Sequence, residues 1–323
     1  EGFFPLLPGG VKGAPARIES GAWLFLALRS GGPGGTLEPR TKTGGMVMEL
    51  TYRPGGMVRA CFFSPTGTTR TVVRALAGAL AEELNAPWEE FDFTLPAGRT
   101  APPPMEPGDV LVAGLPVYAG RLPNLMLPYL NTWAGRDAPA VPVVLFGNRN
   151  FDDALMELRE LLEARGFHTA AGAAFVGEHA FSTVLAAGRP DREDLALARS
   201  FGRAVARKLR SGPFETPVPV PGRRPVGPYY QPRDRAGRPI DIRKVKPKVS
   251  PACIRCGRCA AVCPMGAIDP ADVTRCPGVC IKCGACVKGC PVQARYYDDP
   301  GYLYHKQELE LGYPGRAEAR CFL

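Results

Sequence analysis

Two copies of one cysteine run limit what this chain can fold into more than any other feature. In Cys253-x2-Cys256-x2-Cys259-x3-Cys263-Pro264 and Cys280-x2-Cys283-x2-Cys286-x3-Cys290-Pro291, sixteen residues separate Cys263 from Cys280. Nine of the 11 cysteines fall between Cys253 and Cys290, and eight of those make up the two runs. Gaps of two and three residues in one short window point to metal ligation in a reducing compartment, because disulfide scaffolds are typically small secreted domains. Zinc sites also begin with C-x2-C, but zinc takes four tetrahedral ligands, commonly as two separated pairs. A third cysteine at x2 and a fourth at x3 before proline, twice over, is poorly explained by zinc. Three close cysteines on a tight loop can instead reach three corners of one cubane, while the fourth, stopped by proline, points elsewhere.

The spacing resembles that of bacterial ferredoxins that hold two [4Fe–4S] clusters. Carried over by position, the resemblance implies that Cys253, Cys256, Cys259 and Cys290 hold one cluster, and that Cys280, Cys283, Cys286 and Cys263 hold the second. The crossing ties both halves into one small pseudo-symmetric unit. Gly257, Gly284 and Ala285 would let backbone amides approach sulfur and help set potential. Cys276, four positions before Cys280, is either an alternative ligand or a free thiol. Cys61 and Cys321 read as a buried small apolar residue and an incidental thiol.

The 323 residues suggest about two domains. With 45% hydrophobic and 22% charged residues, the chain has an ordinary globular composition and can build a packed core. The longest apolar run, Ala22–Leu28, is stopped by Arg29, short of the roughly 18–20 residues a membrane-spanning helix needs. It also lacks the lead and cleavage pattern of a signal peptide. The expected location is therefore the cytoplasm. Residues 1–56 hold 13 of the 38 glycines without any sustained period, and read as a disordered or non-native extension, with Met46, Met48 and Met57 each offering a start.

From Met57 onward, short apolar runs alternate with amphipathic stretches, the pattern of a parallel sheet flanked by helices. Strands are expected at Met57–Phe63, Trp88–Phe93, Asp109–Leu115, Val141–Gly147 and Ala171–Val176, and helices at Thr69–Leu84, Phe151–Ala164 and Asp191–Leu209. Together these predict an α/β, doubly wound, five-stranded parallel sheet over residues 57–211, made of five β/α units. Residues 212–249 read as a basic, Pro/Gly-rich linker, 250–296 as a small α+β iron–sulfur domain, and 297–323 as a C-terminal tail. The net charge is +9, yet positions 201–250 alone carry 13 basic against 3 acidic residues. Prolines and sparse aromatics in this stretch argue against a nucleic-acid interface, and a docking surface for acidic redox partner proteins is the expected role.

Three loops follow predicted strands at their carboxyl ends, where doubly wound folds bind ligands. Ser64-Pro65-Thr66-Gly67-Thr68-Thr69 offers hydroxyls and free amides at a helix N-terminus and contains no P-loop lysine. It resembles the FMN-phosphate loop of flavodoxins, with Ser64, Thr66, Gly67, Thr68 and Thr69 as contacts. The loop after the third strand, including Pro116, Tyr118 and Gly120, is similar to the first flavin loop, with Tyr118 placed to stack on the ring. Gly147, Asn148 and Arg149 match the second, and Phe151 faces either the ring or the interior.

The whole resembles flavodoxin-domain proteins fused to a C-terminal two-cluster ferredoxin, the EFR1-type ferredoxins. Resemblance covers about residues 57–211 and 250–296, including Val176–Ser182 after the fifth strand. It implies electron transfer between one FMN and two [4Fe–4S] clusters, with the ferredoxin module as port to a partner and the linker letting it swing. The alternative is a flavin-dependent reductase of a small substrate fed by the clusters. An electron carrier is favoured over a substrate-specific enzyme, and no catalytic residue is assigned. His179 alone among the three histidines sits where it could relay a proton near the flavin. Membrane association is not expected.

Overall fold

The computed structural model describes residues 40–42 and 45–323, and the extension expected over residues 1–56 lies mostly outside the described residues. In chain order the elements are β1 (Arg40–Lys42), β2 (Gly45–Leu50), β3 (Val58–Phe62), α1 (Thr68–Leu84), β4 (Trp88–Asp92), β5 (Val110–Pro116), α2 (Leu127–Leu130), β6 (Pro139–Phe146), α3 (Ala154–Ala164), β7 (His168–Thr169), β8 (Gly172–Val176), α4 (Arg192–Arg210) and β9 (Phe214–Thr216). They are followed by β10 (Lys248–Val249), α5 (Arg258–Ala261), α6 (Ala285–Lys288), β11 (Arg295–Tyr296), α7 (Pro300–Gly312) and β12 (Arg320–Phe322).

The central sheet runs β12-β8-β6-β5-β3-β4. Its five strands from β4 to β8 are parallel and, in chain order, follow 2-1-3-4-5, the flavodoxin-like doubly wound arrangement. Strands β5 and β6 are continuous apolar runs because both faces are covered, and β3 departs from this only at Arg59, which pairs with Asp109 and Glu89. On one face α1 and α4 pack through Val72, Val73, Leu76 and Leu80 against Ala198, Phe201, Val205 and Leu209. Gly202 allows the two helices to cross closely, since a Cβ there would meet the Leu76 carbonyl oxygen at 2.4 Å. On the other face α3, Trp133, Phe93 and Phe167 close a second core. The five expected strands are present with end shifts of one or two residues. The β4–β5 connection holds only a short 3-10 turn (Pro96–Arg99), so the expected five β/α units are incomplete.

The structure corrects the reading of the flanking segments. Residues 212–249 are packed along the α/β domain: β9 pairs with β2, Val218 and Val220 enter the core, and the Val218 amide donates to the Thr169 carbonyl at 2.9 Å. The amides of Arg223 and Gly227 both donate to Asp153, and the Tyr230 amide to the Ala119 carbonyl. Prolines keep this chain extended, but its remaining polar groups find side-chain and loop partners that leave no periodic trace in sequence. Pairing with β9 likewise makes β2, inside the expected 1–56 extension, part of a sheet. Residues 297–323, read as a tail, form α7 and β12, and β12 adds antiparallel to β8 (Arg320 opposite Ala174, Phe322 opposite Gly172). No helix among the described residues is long and apolar enough to cross a membrane.

Candidate functional site: two thiol cavities beside three loops

The two cysteine runs fold as repeats offset by 27 positions. Arg255 and Lys282 (φ 54° and 56°) and Gly257 and Gly284 (φ 77° and 78°) take the same left-handed backbone. The amides of Arg255 and Lys282 each point at the sulfur two residues back, Cys253 Sγ and Cys280 Sγ, at 3.4 Å. Those of Ala267 and Ala294 reach Cys263 Sγ and Cys290 Sγ at 3.2 Å. Such turns aim N–H groups at sulfur and suit thiolates carrying a net negative cluster.

Two cavities result. One is lined by Cys253, Cys256, Cys259 and Cys290, the other by Cys263, Cys280, Cys283 and Cys286. Each holds three cysteines of one run and the last of the other, the crossed grouping that the ferredoxin resemblance implies. Cys276 also lines the second cavity. The donor sets fit cubane clusters, and so does Arg295, a buried guanidinium lining the first cavity. Its Nη2 lies 3.4 Å from Cys259 Sγ, and its buried Nη1 has no partner among the described residues. Burial pushes the Cys283 and Cys286 thiols up to about 12, so their ligation of a metal displaces protons. Cys290 moves the other way. Burial opposes its ionisation, but the amides of Val292, Ala294 and Arg295 outweigh it and hold the thiol below its ordinary value.

Residues 252–294 match the family model described as a 4Fe-4S dicluster domain. The chain therefore carries two [4Fe–4S] clusters. The dicluster domain gives it an electron-transfer role.

The dicluster domain is docked on the α/β domain. Lys288 Nζ, on α6, donates to Glu178 Oε1 and to the carbonyls of His179 (2.7 Å) and Ser182 (2.9 Å). Arg99 donates to the Pro264 carbonyl, and Met265 and Ile281 pack against the α/β core. Gly284 is required at this contact, because a Cβ would meet the Ala180 carbonyl oxygen at 2.5 Å. The expected swinging module is thus replaced by a seated one.

The three loops lie at the carboxyl ends of β3, β5 and β6. At the first, Ser64 Oγ accepts from the Arg70 amide, and Gly67 (φ 88°) turns the chain into α1. The amides of Thr66, Thr68 and Thr69 have no partner among the described residues. Three free amides with neighbouring hydroxyls at the start of a 17-residue helix fit a phosphate. In the second loop Pro116 ends β5, and Tyr118 and Arg121 close a tight turn over Ala119 and Gly120. Gly120 lies so close to Asp152 that a Cβ would meet its Oδ2 at 2.3 Å. Burial pushes the Tyr118 phenol well above its ordinary value.

In the third loop Gly147 packs directly on His179. Asn148 uses its side chain on the C-terminal segment, donating to the carbonyls of Tyr313 and Gly315 and accepting from the Ala317 amide. Arg149 pairs with Asp152 and covers the Tyr230 ring at 4.6 Å. Phe151 turns inward, 5.6 Å from Phe146. His179, expected as a proton relay, is partly buried and accepts from the Phe181 amide, and burial then nearby positive charge lower it to about 3. That holds it neutral and fits packing better than proton transfer.

Sequence reasoning missed Lys288, Arg295 and Tyr297, whose hydroxyl is 3.8 Å from Cys280 Sγ. Lys288 and Arg295 are ordinary basic residues until the fold brings them to a carboxylate and to a sulfur.

Solved structures with similar coordinates include a flavodoxin from the domain Archaea, 11% identical, covering 48% of this chain and 99% of that one, with a TM-score of 0.35. Others are a flavodoxin from Streptococcus pneumonia TIGR4 (15% identical, 48% and 99% covered, TM-score 0.34) and the flavodiiron protein from Giardia intestinalis (16%, 50% and 37%, TM-score 0.33). The fold assignment rests on the strand order above. No curated protein matches the chain.

Proposed function

We propose that the chain relays electrons between an FMN held by the three loops and the two clusters, with the second cluster next to the flavin and the first as the outlet. The observation that carries this is the seating of the second run: Lys288 and Gly284 sit on residues 178–182, and Gly147 of a flavin-ring loop packs on His179 of that same segment. Bound FMN supplies a carrier that takes one or two electrons, whereas each cluster takes one. Thr66, Thr68 and Thr69 would hold the phosphate through their amides, supported by Ser64 and Gly67. Pro116, Tyr118, Gly120, Gly147 and Arg149 would border the ring, while Asn148 would shape that border by anchoring residues 313–317. This organisation agrees with an EFR1-type ferredoxin.

The outlet is the first cavity, where Cys256 and Ile254 are exposed and Arg255 and Arg258 flank them. The partner is a redox protein with an acidic face. The basic stretch over 201–250 is a poorer docking surface than its charge suggests. Eight of its 13 basic residues, Arg203, Arg207, Arg223, Arg224, Arg235, Arg238, Arg243 and Lys248, pair with acids of the same chain. No feature of the described residues is specific to a reductase of a small substrate.

Anaerobic purification followed by iron, sulfide and flavin analysis tests the reading. About eight irons and one FMN per chain, bleaching together under reductive titration, are expected. Zinc in place of iron would remove the cluster half, and failure to bind FMN on reconstitution would remove the flavin half. Arg255→Glu with Arg258→Glu should slow exchange with an acidic carrier and flatten its salt dependence.

A further inference from the structure

The 27-residue repeat places a charged residue at one site where the other has an apolar one. Arg295 lines the first cavity, and its counterpart in the second is Ile268, 4% exposed. Arg295 is 3% exposed, approaches Cys259 Sγ through Nη2, bonds the Val273 carbonyl through the same nitrogen, and leaves Nη1 buried without a partner among the described residues. A buried guanidinium with an unpaired N–H is costly unless negative charge lies beside it. In the first cavity that charge is the cluster with its thiolates.

A cluster gains one negative charge on reduction, so a nearby fixed cation favours the reduced form and an apolar enclosure disfavours it. Both effects act in the same direction here. The cations around the second cavity are spent elsewhere: Lys246 on the carbonyls of Cys276 and Pro277, Lys282 on those of Arg243 and Cys280, and Lys288 on Glu178, His179 and Ser182. Arg255 and Arg258, at the first cavity, are exposed and screened by water. We infer that Arg295 sets the first cluster at the higher potential of the two, so that the first electron entering the pair rests at the exposed end, away from the run seated on residues 178–182. The step is a one-electron reduction of one cluster by an external one-electron donor, with no proton or bond exchanged. It rests on the crossed ligand sets and gives the relay a downhill direction, from the second cavity outward.

The test uses the full chain in anaerobic redox titration with dithionite, followed by electron paramagnetic resonance. The wild type should show two one-electron waves. Arg295→Met should lower the more positive wave by at least a factor of ten in the reduced-to-oxidised ratio at fixed potential, about 59 mV, and leave the other in place. Arg295→Lys should recover most of the shift. An unmoved upper wave, or equal movement of both, overturns the inference. A second measurement needs no variant. In half-reduced wild type a soluble paramagnetic relaxing agent should strongly relax the cluster signal, because the electron sits at the exposed site, and a signal indifferent to the agent overturns the assignment. Fewer than about eight irons in the wild type would indicate instead that the ligand reading has failed.

Discussion

Cys256 and Cys283 hold the same place in two copies of one motif, yet Cys256 is exposed while Cys283 is buried against a neighbouring domain. The difference extends along both runs: Arg258 is exposed and its counterpart Ala285 buried, and Ala261 stands exposed where Lys288 makes its three bonds. Equal ligand geometry has been given unequal surroundings. The motif fixes what is bound, and the surface against which each copy packs fixes how far each site is open to water.

The largest expected contrast comes from removing those two thiols. Cys283→Ala should drop iron from about eight to about four per chain and uncouple the remaining cluster from the flavin. Cys256→Ala should lose the same amount of iron but keep flavin and the second cluster in communication, read by freeze-quench spectroscopy during single turnover. Equal uncoupling by both would break the comparison. Next is Lys288→Ala, which strands Glu178 and two carbonyls and should cost about 2–3 kcal/mol in the denaturant midpoint, with faster proteolysis between the domains. Serine at Ala261, its repeat counterpart, should do nothing measurable.

The glycine pair gives a finer test. Gly257→Ala and Gly284→Ala both force alanine into left-handed backbone, costing about 1–2 kcal/mol, but only Gly284 meets a neighbour, the Ala180 carbonyl. The second substitution should therefore cost about 1–3 kcal/mol more than the first. Equal losses would mean that the docking contact contributes nothing.

The smallest effect is on pH. His305 and His179 are held below their ordinary value, by burial first and nearby cationic groups second, to about 4 and about 3. A depressed histidine stabilises the fold above its unfolded value of about 6.5 and loses that contribution as pH falls toward the folded value. Burial tends to raise Glu178, but Lys288 and the Gly188 amide hold it below the usual carboxylate range, so its contribution fades lower still. Stability should decline between pH 6.5 and about 4 by on the order of 1–3 kcal/mol. The decline should shrink in His305→Gln, and midpoints that do not move with pH would contradict this.

Much of this was legible in the chain. Val110–Pro116 and Pro139–Phe146, and Val58–Phe62 apart from Arg59, declare buried parallel strands because apolar runs are what two covered faces require. The cysteine spacing pointed to clusters because each local loop gathers three thiols, whereas the crossed fourth thiol came only with the ferredoxin resemblance. What stayed hidden depends on contacts between segments distant in sequence. Val218 and Val220 look like any valines among prolines, and α7 is too weakly amphipathic to be recognised by period alone. Asn148 reads in the sequence as a flavin-loop contact, and its engagement with residues 313–317 depends on how the chain returns after the dicluster domain.

That return has a temporal consequence. β12 can pair with β8 only after the whole dicluster domain has been synthesised and folded back, since that domain lies between them in sequence. The α/β domain can collapse while the cysteines are still emerging, but one edge of its sheet stays open until they have been threaded past it. Closure of that edge therefore comes late in biosynthesis.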